Sequence, residues 1–337
     1  MIKALVTGAA GFLGSHVARH CLSLGQEVTA LDDLSGGFRD QVPERAVFIE
    51  GSVTDHVLVD RLFQERRFNY VYHLAAHAAE GLSHFIRRFN YTNNVIGSVN
   101  LINAAVRHEV QCLVFTSSIA VYGQGRLPMT EETTPAPEDP YGIAKYAVEL
   151  DLRAARETFG LNYVIFRPHN VYGEHQNLGD RYRNVVGIFM NQILLGKPLT
   201  VFGDGEQTRA FSYVDEVAPI LARSVETPSA FGQVFNIGAD QPYTINHLAQ
   251  VVARALGKEP VIQYLPERPE VRHAYASHEK AARVFGRPEP VSLGQGIQKM
   301  AEWARSRGPR SGRALASVEV SKNLPISWRP ALGKTES

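Results

Sequence analysis

Residues 2–170 alternate short, continuously apolar segments with segments of helical periodicity, and only a few residues separate each segment from the next. A strand that is apolar along its whole length is typical of a parallel sheet, because helices cover both faces of such a sheet. The sequence therefore predicts an α/β fold with a doubly wound parallel sheet. The predicted strands are residues 2–7, 27–31, 46–50, 70–75, 111–116 and 162–167, and the predicted helices are residues 11–24, 55–66, 90–108 and 141–158.

The second half of the chain follows a looser pattern, with a long loop over residues 173–184. Helical periodicity over residues 185–196, 214–226 and 244–256, with a strand at 199–202, predicts a smaller lobe that is partly interleaved with the first. We therefore expect a first domain over residues 1–170 with a returning segment near 214–240, a second lobe over 171–305, and a tail over 306–337. The start of the tail is rich in Gly, Ser and Arg, which indicates a flexible linker, and residues 318–328 are a candidate for a short strand that packs back onto the body.

The charge balance narrows the classes of partner. Lys and Arg number 35 and Asp and Glu 34, so the formal net charge is +1. A nucleic-acid-binding protein needs a surplus of basic side chains to neutralise phosphates, so we expect no nucleic-acid partner. The two cysteines form no disulfide framework, no metal-ligand spacing is present, and no apolar run approaches the roughly 20 residues that span a bilayer. These features favour a reduced, cytoplasmic protein without a membrane partner.

The segment Thr-Gly-Ala-Ala-Gly-Phe-Leu-Gly, residues 7–14, lies where the first predicted strand ends and the first helix begins. Glycine in such a turn permits backbone angles that other residues avoid and lets the chain approach a pyrophosphate, which the helix N-terminus then stabilises. Asp32 ends the second predicted strand, where a carboxylate can accept hydrogen bonds from both adenosine ribose hydroxyls. Because a carboxylate there repels a 2′-phosphate, this pattern predicts a Rossmann-type site for NAD rather than NADP.

The spacing of the three glycines resembles that of the short-chain dehydrogenase/reductase superfamily, which implies a Tyr-x-x-x-Lys pair on a later helix and a Ser or Thr before it. Tyr141 and Lys145 have this spacing, and four residues of helix place both side chains on one face. A tyrosine is a poor base at neutral pH, and a neighbouring cation favours its phenolate form. Ser117 and Ser118 follow Thr116 at the end of a predicted strand. Either hydroxyl could bind the reacting group, and Ser118 is the favoured one.

Further motifs narrow this resemblance: LVTGAAGFLGSH, LDDLSGG, YHLAA, NNVIGS, FTSSIAVYG, PYGIAK, RPHNVYG and VFGDGEQTRAFSYVDEVA. From residue 2 to about residue 303 the chain resembles the extended branch of the superfamily, the NAD-dependent nucleotide-sugar epimerases and dehydratases, and is most similar to the UDP-glucose (UDP-galactose) 4-epimerase group. The resemblance implies bound NAD, a UDP-sugar substrate (a UDP-hexose is expected) held by the second lobe, and a homodimer formed through the helices near 90–108 and 141–158.

The resemblance also implies roles for individual residues, with Ser118, Tyr141 and Lys145 as the catalytic ones. Arg209 and Arg268 would clamp the substrate pyrophosphate, which suits the geometry of a guanidinium. Asn93, or its neighbour Asn94, would help to hold the cofactor. The full cofactor-binding set is Gly8, Gly11, Phe12, Leu13, Gly14, Asp32, Asp33, Ser52, Val53, Leu74, Ala75, Ala76, Asn93, Thr116, Tyr141 and Lys145. The full substrate-binding set is Ser118, Tyr141, Asn170, Val201, Phe202, Arg209, Arg268 and Ala274.

Three positions depart from the patterns of the family in ways that bear on function. Ser52 stands where the family has an aspartate that contacts adenine, so we expect a weaker contact there. Ile119 and Ala120 stand where the dehydratases carry an Asp-Glu pair, and neither side chain can move a proton, which argues against 4,6-dehydration. Ala274 stands where glucose-restricted epimerases have a bulky tyrosine, so its small side chain leaves room for an N-acetyl group.

Three functions are compatible with these residues. The first is NAD-dependent epimerisation of a UDP-sugar at C4 through a transient 4-keto sugar, with Tyr141 as the base and bound NAD as the hydride shuttle. The second is a dehydratase, or a C5- or uronate-specific epimerase, in which Glu80 or His77 adds an acid or base; the simpler interpretation of this segment is a polar loop. The third is a non-catalytic NAD-binding regulator, against which the intact catalytic set argues.

Overall fold

The computed structural model describes residues 1–267, 270–310, 318–325 and 328. Within them the strands are β1 (Lys3–Thr7), β2 (Glu27–Asp32), β3 (Val47–Glu50), β4 (Tyr70–His73), β5 (Cys112–Thr116), β6 (Tyr163–Pro168), β7 (Val171–Tyr172), β8 (Leu199–Phe202), β9 (Thr208–Ala210), β10 (Ser212–Tyr213), β11 (Gln233–Ile237), β12 (Pro242–Thr244), β13 (Ile262–Leu265) and β14 (His273–Ala274).

The helices of the same residues are α1 (Phe12–Ser23), α2 (His56–Arg66), α3 (Glu80–Ser83), α4 (Arg87–Tyr91), α5 (Gly97–Arg107), α6 (Pro140–Phe159), α7 (Val185–Leu194), α8 (Val214–Arg223), α9 (Ile245–Ala255), α10 (Glu279–Phe285) and α11 (Leu293–Arg307). Short 3-10 turns cover Arg39–Gln41, Ile119–Tyr122, Ser224–Glu226 and Pro228–Ala230. None of these helices is both long and apolar enough to cross a membrane, as far as the described residues show.

The strands β1–β6 and β11 form one parallel sheet in the order β11–β6–β5–β4–β1–β2–β3. The strands β1, β4, β5 and β6 are buried along almost their whole length, because helices cover both faces of the sheet. The order of strands reverses between β1 and β4, which opens a crevice at the carboxyl ends of these two strands. The predicted doubly wound α/β fold is confirmed.

The chain returns to this sheet after leaving it at the end of β6. The helix α8 packs against α1, and β11 pairs in parallel with β6 at the edge of the sheet. The remaining short strands form small sheets of their own, β10–β7, β12–β9–β14 and β13–β8, and α7, α9 and α11 pack together beside them. The second lobe is therefore built from two parts of the chain, one that precedes α8 and one that follows β11.

The predicted helix over residues 90–108 is interrupted. In the structure α4 runs into a single π-helical turn over Thr92–Ile96, and α5 follows from Gly97. A π-turn holds more residues than an α-turn, so the faces of the helix rotate across it. The periodicity of the sequence does not reveal this turn, and it lies beside the crevice.

The described part of the tail packs back onto the body but forms no strand in residues 318–325. The N–H of Glu319 donates to the carbonyl of Phe85 at 2.8 Å, and its carboxylate accepts the N–H groups of Arg88 and Phe89 in α4 at 2.7 and 2.8 Å. The indole of Trp328 lies edge-on to the Phe85 ring, with 6.3 Å between the ring centres. Of the linker expected over residues 306–317, residues 306 and 307 instead form the end of α11, and residues 311–317 lie outside the described residues.

Candidate active site

A cavity of about 830 Å³ opens at the carboxyl ends of the sheet, where the strand order reverses. Residues that directly follow β1, β2, β4, β5 and β6 line one side of it, and residues of the second lobe line the other. Every site residue predicted from the sequence lies in its wall except Arg268, which is outside the described residues. The residues in the wall are Gly8, Gly11, Phe12, Leu13, Gly14, Asp32, Asp33, Ser52, Val53, Leu74, Ala75, Ala76, Asn93, Thr116, Ser118, Tyr141, Lys145, Asn170, Val201, Phe202, Arg209 and Ala274.

The glycines of the first turn are required by close backbone packing. Gly8 has a φ of +71°, and a Cβ there would lie 2.8 Å from the backbone nitrogen of Ala75. A Cβ on Gly14 would lie 2.0 Å from the carbonyl oxygen of Gly8. Sequence reasoning did not single out Gly37, where a Cβ would lie 2.1 Å from the carbonyl oxygen of Ala10. These contacts hold the turn against the end of β4 and against the loop after β2.

Asp32 holds the turn from the end of β2. Its carboxylate accepts the N–H of Ala10 at 3.0 Å and the N–H of Leu34 at 2.8 Å, one on each oxygen. Burial raises the pKa of this carboxyl, and the two N–H groups oppose the rise. Each oxygen keeps a lone pair that can accept a hydroxyl from the cavity. Asp33 instead accepts the N–H of Ser35 at 3.0 Å in an exposed turn.

The residues around the turn fit a dinucleotide. The helix α1 begins at Phe12 with no side-chain cap and no acidic residue in its first turn, and Phe12, Leu13 and Gly14 line the cavity. Uncapped N–H groups at a helix N-terminus are suited to a diphosphate. Asp32 offers acceptors to a ribose beside them, and the cavity volume is within the range of ligand sites. The N–H donors of α1 and the carboxylate acceptors of Asp32 therefore suit NAD.

A buried chain of hydrogen bonds behind the turn was not foreseen from the sequence. The hydroxyl of Thr7 lies 2.9 Å from Nδ1 of His73, whose Nε2 lies 2.8 Å from the hydroxyl of Ser98. Ser98 donates to a backbone carbonyl and so accepts from Nε2, which makes Thr7 the donor to Nδ1. Burial lowers the pKa of His73 to about 3. A neutral imidazole thus joins β1, β4 and α5 directly behind the cavity.

The helix α6 is capped so that Tyr141 stands in its first turn. The carboxylate of Asp139 accepts the N–H groups of Tyr141 and Gly142, each at 2.9 Å, and Pro140 occupies the first helical position. The hydroxyl of Ser83 accepts the same Tyr141 N–H at 3.2 Å. The backbone that carries the tyrosine is therefore held by two side chains from outside the helix.

Tyr141 and Lys145 are both buried at the end of β5. The ammonium of Lys145 donates to the carbonyl of Thr116 at 2.6 Å and lies 5.8 Å from the centre of the Tyr141 ring. Burial raises the pKa of Tyr141, whereas burial lowers the pKa of Lys145 to about 7. Burial therefore disfavours both charged forms, and phenolate and ammonium can stabilise each other as a pair.

The two serines after β5 face different ways. Ser117 is buried, and its hydroxyl donates to the carboxylate of Glu149 at 2.5 Å. The hydroxyl of Ser118 accepts the N–H of Ala120 at 3.1 Å and is close enough to Tyr141 to oppose the rise in its pKa. The geometry therefore favours Ser118 as the partner of the tyrosine, the alternative that the sequence left open.

A buried ion pair behind the catalytic helix was also missed. Glu149 follows Lys145 by one helical turn, and its carboxylate accepts both Nε and Nη2 of Arg167, at 2.9 and 2.5 Å. Both side chains are at most 4% exposed. Burial alone would lower the pKa of the guanidinium, but the hydrogen bond and charge of Glu149 raise it above its ordinary value. The negative charge of Glu149 also raises the pKa of Lys145 against burial.

The two asparagines of the π-turn have separate roles in the structure. Asn93 lines the cavity, and its amide donates to the carbonyl of Phe89 at 2.9 Å. Asn94 is buried, accepts the N–H of His77 at 2.8 Å and donates to the carbonyl of His77 at 3.1 Å. Asn94 thus fixes the start of the loop that follows β4, and Asn93 is the one that a ligand can reach.

The second lobe contributes the residues predicted for the substrate. Val201 and Phe202 end β8, and Asn170 lies just after β6 with a φ of +41°. The guanidinium of Arg209 donates to three backbone carbonyls at 2.5–2.9 Å, which fixes it against the strand β14. Ala274 pairs with Arg209 in the register between β14 and β9 and lies in the cavity wall.

Charged side chains from the start of α3 and from the loop before α7 also line the cavity. Glu80 lies in the wall, and its negative charge adds to the effect of burial in raising the pKa of Tyr141. Arg183 also lies in the wall, and its positive charge lowers the pKa of Tyr141 against the effect of burial. Burial, with a further contribution from Arg183, lowers the pKa of His77 to about 4, so this imidazole is neutral at pH 7. No motif had singled out Arg183.

Known proteins share this architecture. A family model described as the NAD dependent epimerase/dehydratase family matches residues 4–238. The crystal structure of a UDP-glucose 4-epimerase from Thermotoga maritima with UDP-glucose superimposes with a TM-score of 0.86 at 35% sequence identity, covering 91% of this chain and 99% of that one.

Two further solved structures carry other sugars in their names. A UDP-N-acetylglucosamine 4-epimerase from Methanobrevibacter ruminantium, in complex with UDP-N-acetylmuramic acid, matches with a TM-score of 0.84 and 30% identity over 91% of this chain and 99% of that one. A UDP-glucuronic acid 4-epimerase from Bacillus cereus, in complex with UDP-glucuronic acid and NAD, matches with a TM-score of 0.84 and 28% identity over 91% and 100% of the two chains. The named sugars differ although the folds agree.

Proposed function

The chain belongs to the NAD-dependent epimerase/dehydratase family and is an NAD-dependent nucleotide-sugar epimerase, and from this premise we propose that it inverts C4 of a UDP-hexose. The observation that carries the proposal is the convergence of Tyr141, Lys145 and Ser118 at the end of β5, beside the turn that suits NAD. Bound NAD supplies the acceptor and the donor of the hydride at C4.

Tyr141 is the base in this proposal. Its phenolate removes the proton of the 4-hydroxyl as the hydride leaves C4, and its phenol returns the proton when the hydride comes back. Lys145 stabilises the phenolate through its positive charge, while the carbonyl of Thr116 holds the ammonium in place. The hydroxyl of Ser118 binds the reacting oxygen and keeps it near Tyr141.

The second lobe holds the nucleotide rather than the sugar. Val201 and Phe202 flank the base, and Arg209 contributes positive charge to the diphosphate from a position fixed by backbone carbonyls. Binding free energy concentrated in the nucleotide leaves the sugar free to rotate after the first hydride transfer. Such rotation would present the other face of the 4-keto sugar for reduction, and the product would then be inverted at C4.

Features of the cavity wall bear on the choice of sugar. Ile119 and Ala120 lie in the wall beside Ser118, and neither side chain can move a proton, which supports epimerisation over dehydration. Ala274 leaves space in the wall, so we propose that an N-acetyl group at C2 is accepted as well as a hydroxyl. Glu80 supports one alternative, since a carboxylate near Tyr141 could remove a proton from C5 of a uronate or a 4-keto sugar.

The decisive experiment is NMR of the products formed from UDP-glucose, UDP-N-acetylglucosamine and UDP-glucuronate, without added NAD. The proposal requires a C4 epimer of at least one hexose substrate. A C5-inverted or dehydrated product would support the role of Glu80 instead, and three unchanged substrates would support a non-catalytic regulator. Tyr141→Phe should lose at least about 100-fold in kcat, the scale of general acid–base catalysis, whereas Tyr146→Phe, one residue beyond Lys145 and outside the cavity wall, should not.

We also propose that the protein is a homodimer through α5 and α6. The proposal is supported by four apolar side chains that are exposed on or beside these helices, namely Phe89, Ile96, Ile143 and Leu150. Ile143 and Leu150 are seven residues apart on α6 and so share a face, and exposed apolar groups on one helical face favour an interface between copies. Light scattering during gel filtration should give twice the chain mass, and the double substitution Ile143→Glu and Leu150→Glu should give the monomer mass. An unchanged dimer in that variant would refute this interface.

A further inference from the structure

Two loops from different lobes meet over the cofactor side of the cavity. One is the loop of residues 35–37 after Asp33, and the other is the loop of residues 177–184 before α7. The amide of Asn177 donates to the carbonyl of Gly36 at 3.2 Å. The guanidinium of Arg183 lies so close to Gly36 that a Cβ at this glycine would be 3.1 Å from Nη2 and 3.5 Å from Nη1. Gly36, Asn177 and Arg183 all line the cavity.

Arg183 is held by its own loop but keeps donors for a ligand. Its Nε donates to the carboxylate of Asp180, whose other oxygen accepts the N–H groups of Tyr182 and Arg183 at 2.9 and 3.2 Å. Neither Nη1 nor Nη2 of Arg183 donates a hydrogen bond to any acceptor within the part of the chain that the structure describes. A guanidinium with two donors on one edge matches the oxygens of a phosphate.

We expect Arg183 to lie between the adenosine end and the nicotinamide end of a bound dinucleotide. Gly36 is close to Asp32, which suits the adenosine ribose, whereas Tyr141 and His77 lie at the nicotinamide end. Arg183, Tyr141 and His77 all line the same cavity, and the charge of Arg183 opposes the rise that burial causes in the pKa of Tyr141. The diphosphate is the part of the molecule that joins these ends.

The cofactor side of the cavity has little positive charge of its own. Residues 7–14 and 33–38 contain no Lys or Arg, and Asp32 and Asp33 add negative charge beside them. The N-terminus of α1 contributes only about half a positive charge to a dianionic diphosphate. The ammonium of Lys145 is turned to the carbonyl of Thr116, and the guanidinium of Arg209 to the carbonyls near β14.

We propose that Arg183 binds the diphosphate of the cofactor from the second lobe and, with Asn177, closes the two lobes over it. Gly36 then leaves room for the guanidinium, because a Cβ there would lie 3.1 Å from Nη2 and would make it shift by a few tenths of an ångström. The consequence is slow release of the cofactor, which suits a reaction that returns its hydride to the same substrate. The inference depends on NAD binding at the glycine turn, but not on the choice of sugar.

The test measures cofactor retention rather than turnover. The holoenzyme is dialysed, and the NAD per chain is determined over time by chromatography after denaturation. We expect Arg183→Gln to release NAD about ten- to hundredfold faster than the unaltered protein, as the loss of one bidentate charged contact predicts. Arg183→Lys should be intermediate, and Gly36→Ala should shift release in the same direction. Arg181→Gln is the matched control, since Arg181 is exposed on the same loop and outside the cavity wall.

Release of NAD from Arg183→Gln at the unaltered rate would overturn the proposal. Normal retention with a higher KM for the UDP-sugar would also overturn it, and would assign the guanidinium to the sugar. The lysine and alanine variants keep the test informative if Arg183→Gln fails to fold. The failure of the proposed function is distinguishable, because Tyr141→Phe should lose epimerisation while it retains NAD.

Discussion

Replacing Glu149 by glutamine removes the negative charge from the centre of a buried network. The carboxylate accepts the hydroxyl of Ser117 at 2.5 Å and two N–H groups of Arg167 at 2.9 and 2.5 Å. A glutamine side chain retains one acceptor oxygen and turns an NH₂ donor toward the other N–H group. The guanidinium, which is 4% exposed, is then left without a counter-charge.

The expected loss of stability follows from this burial. Removing one partner of a buried ion pair costs about 3–5 kcal/mol, because the other charge remains out of water. An unfolding entropy of about 2.1 cal/mol/K per residue corresponds to about 0.7 kcal/mol/K for a chain of this length. The Tm of Glu149→Gln should therefore fall by about 4–7 °C at saturating NAD.

The same substitution should change the pH profile of the reaction. The charge of Glu149 raises the pKa of Lys145, which burial lowers to about 7. Without that charge the lysine loses its proton at lower pH. Because the phenolate of Tyr141 needs the ammonium form, the fall in kcat on the alkaline side should begin at lower pH than in the unaltered protein.

Calorimetry and a kcat profile between pH 5 and pH 9 check the two effects separately. The double variant Glu149→Leu, Arg167→Met should recover most of the Tm, since it leaves no unpaired guanidinium in the interior, but should retain the shifted pH profile. Asp60→Asn, which breaks an exposed pair with Arg107, is the control and should lower the Tm by at most about 1 °C. A Tm for Glu149→Gln within 1 °C of the unaltered value would refute the reasoning.

Three further predictions concern the turn, the sugar and the dependence of stability on pH. Gly14→Ala should lose bound NAD, because its Cβ would overlap the carbonyl oxygen of Gly8; the NAD content of the purified protein checks this, and full occupancy would contradict it. Ala274→Tyr should reduce kcat/KM for UDP-N-acetylglucosamine at least tenfold more than for UDP-glucose, as measured by NMR, and equal losses would contradict the steric role. The free energy of unfolding should fall as the pH drops from 6.5 towards 3, because His73, with a pKa lowered to about 3, takes up its proton only on unfolding. Urea titrations at pH 5 and 6 should show that His73→Gln removes about 1.4 kcal/mol per pH unit of this slope, and an unchanged slope would contradict the assignment.

Much of the fold and the catalytic set could be predicted because both depend on short-range spacing. The helix predicted over residues 141–158 is observed at Pro140–Phe159, and its first turn carries Tyr141 and Lys145 four residues apart on one face. The glycine turn was located correctly for the same reason, since strand, turn and helix are contiguous in the chain. The match to the family and the NAD cofactor confirmed what these motifs indicated.

The spacing of residues in the sequence could not predict two local features, the π-turn and the choice between Ser117 and Ser118. A helix was predicted over the residues that contain the π-turn at Thr92–Ile96, because apolar periodicity does not distinguish an inserted residue. The sequence favoured Ser118 over Ser117 without settling the choice, since adjacent residues of an extended segment point to opposite sides and the pattern does not say which hydroxyl faces the substrate. The buried carboxylate of Glu149, from another element, accepts the hydroxyl of Ser117, and this supports Ser118 as the partner of Tyr141.

The sequence by itself determined the α/β fold, the dinucleotide turn and the catalytic pair, because each is encoded by residues close together in the chain. Only the tertiary structure decided the partners that come from elsewhere: Arg167 behind Lys145, and Arg183 against Gly36 across the cavity. The physical reason is that such contacts depend on how separate helices and loops pack on the sheet. Burial then changes the pKa of the groups that packing brings together, as it does for Lys145, and this sets the chemistry of the site.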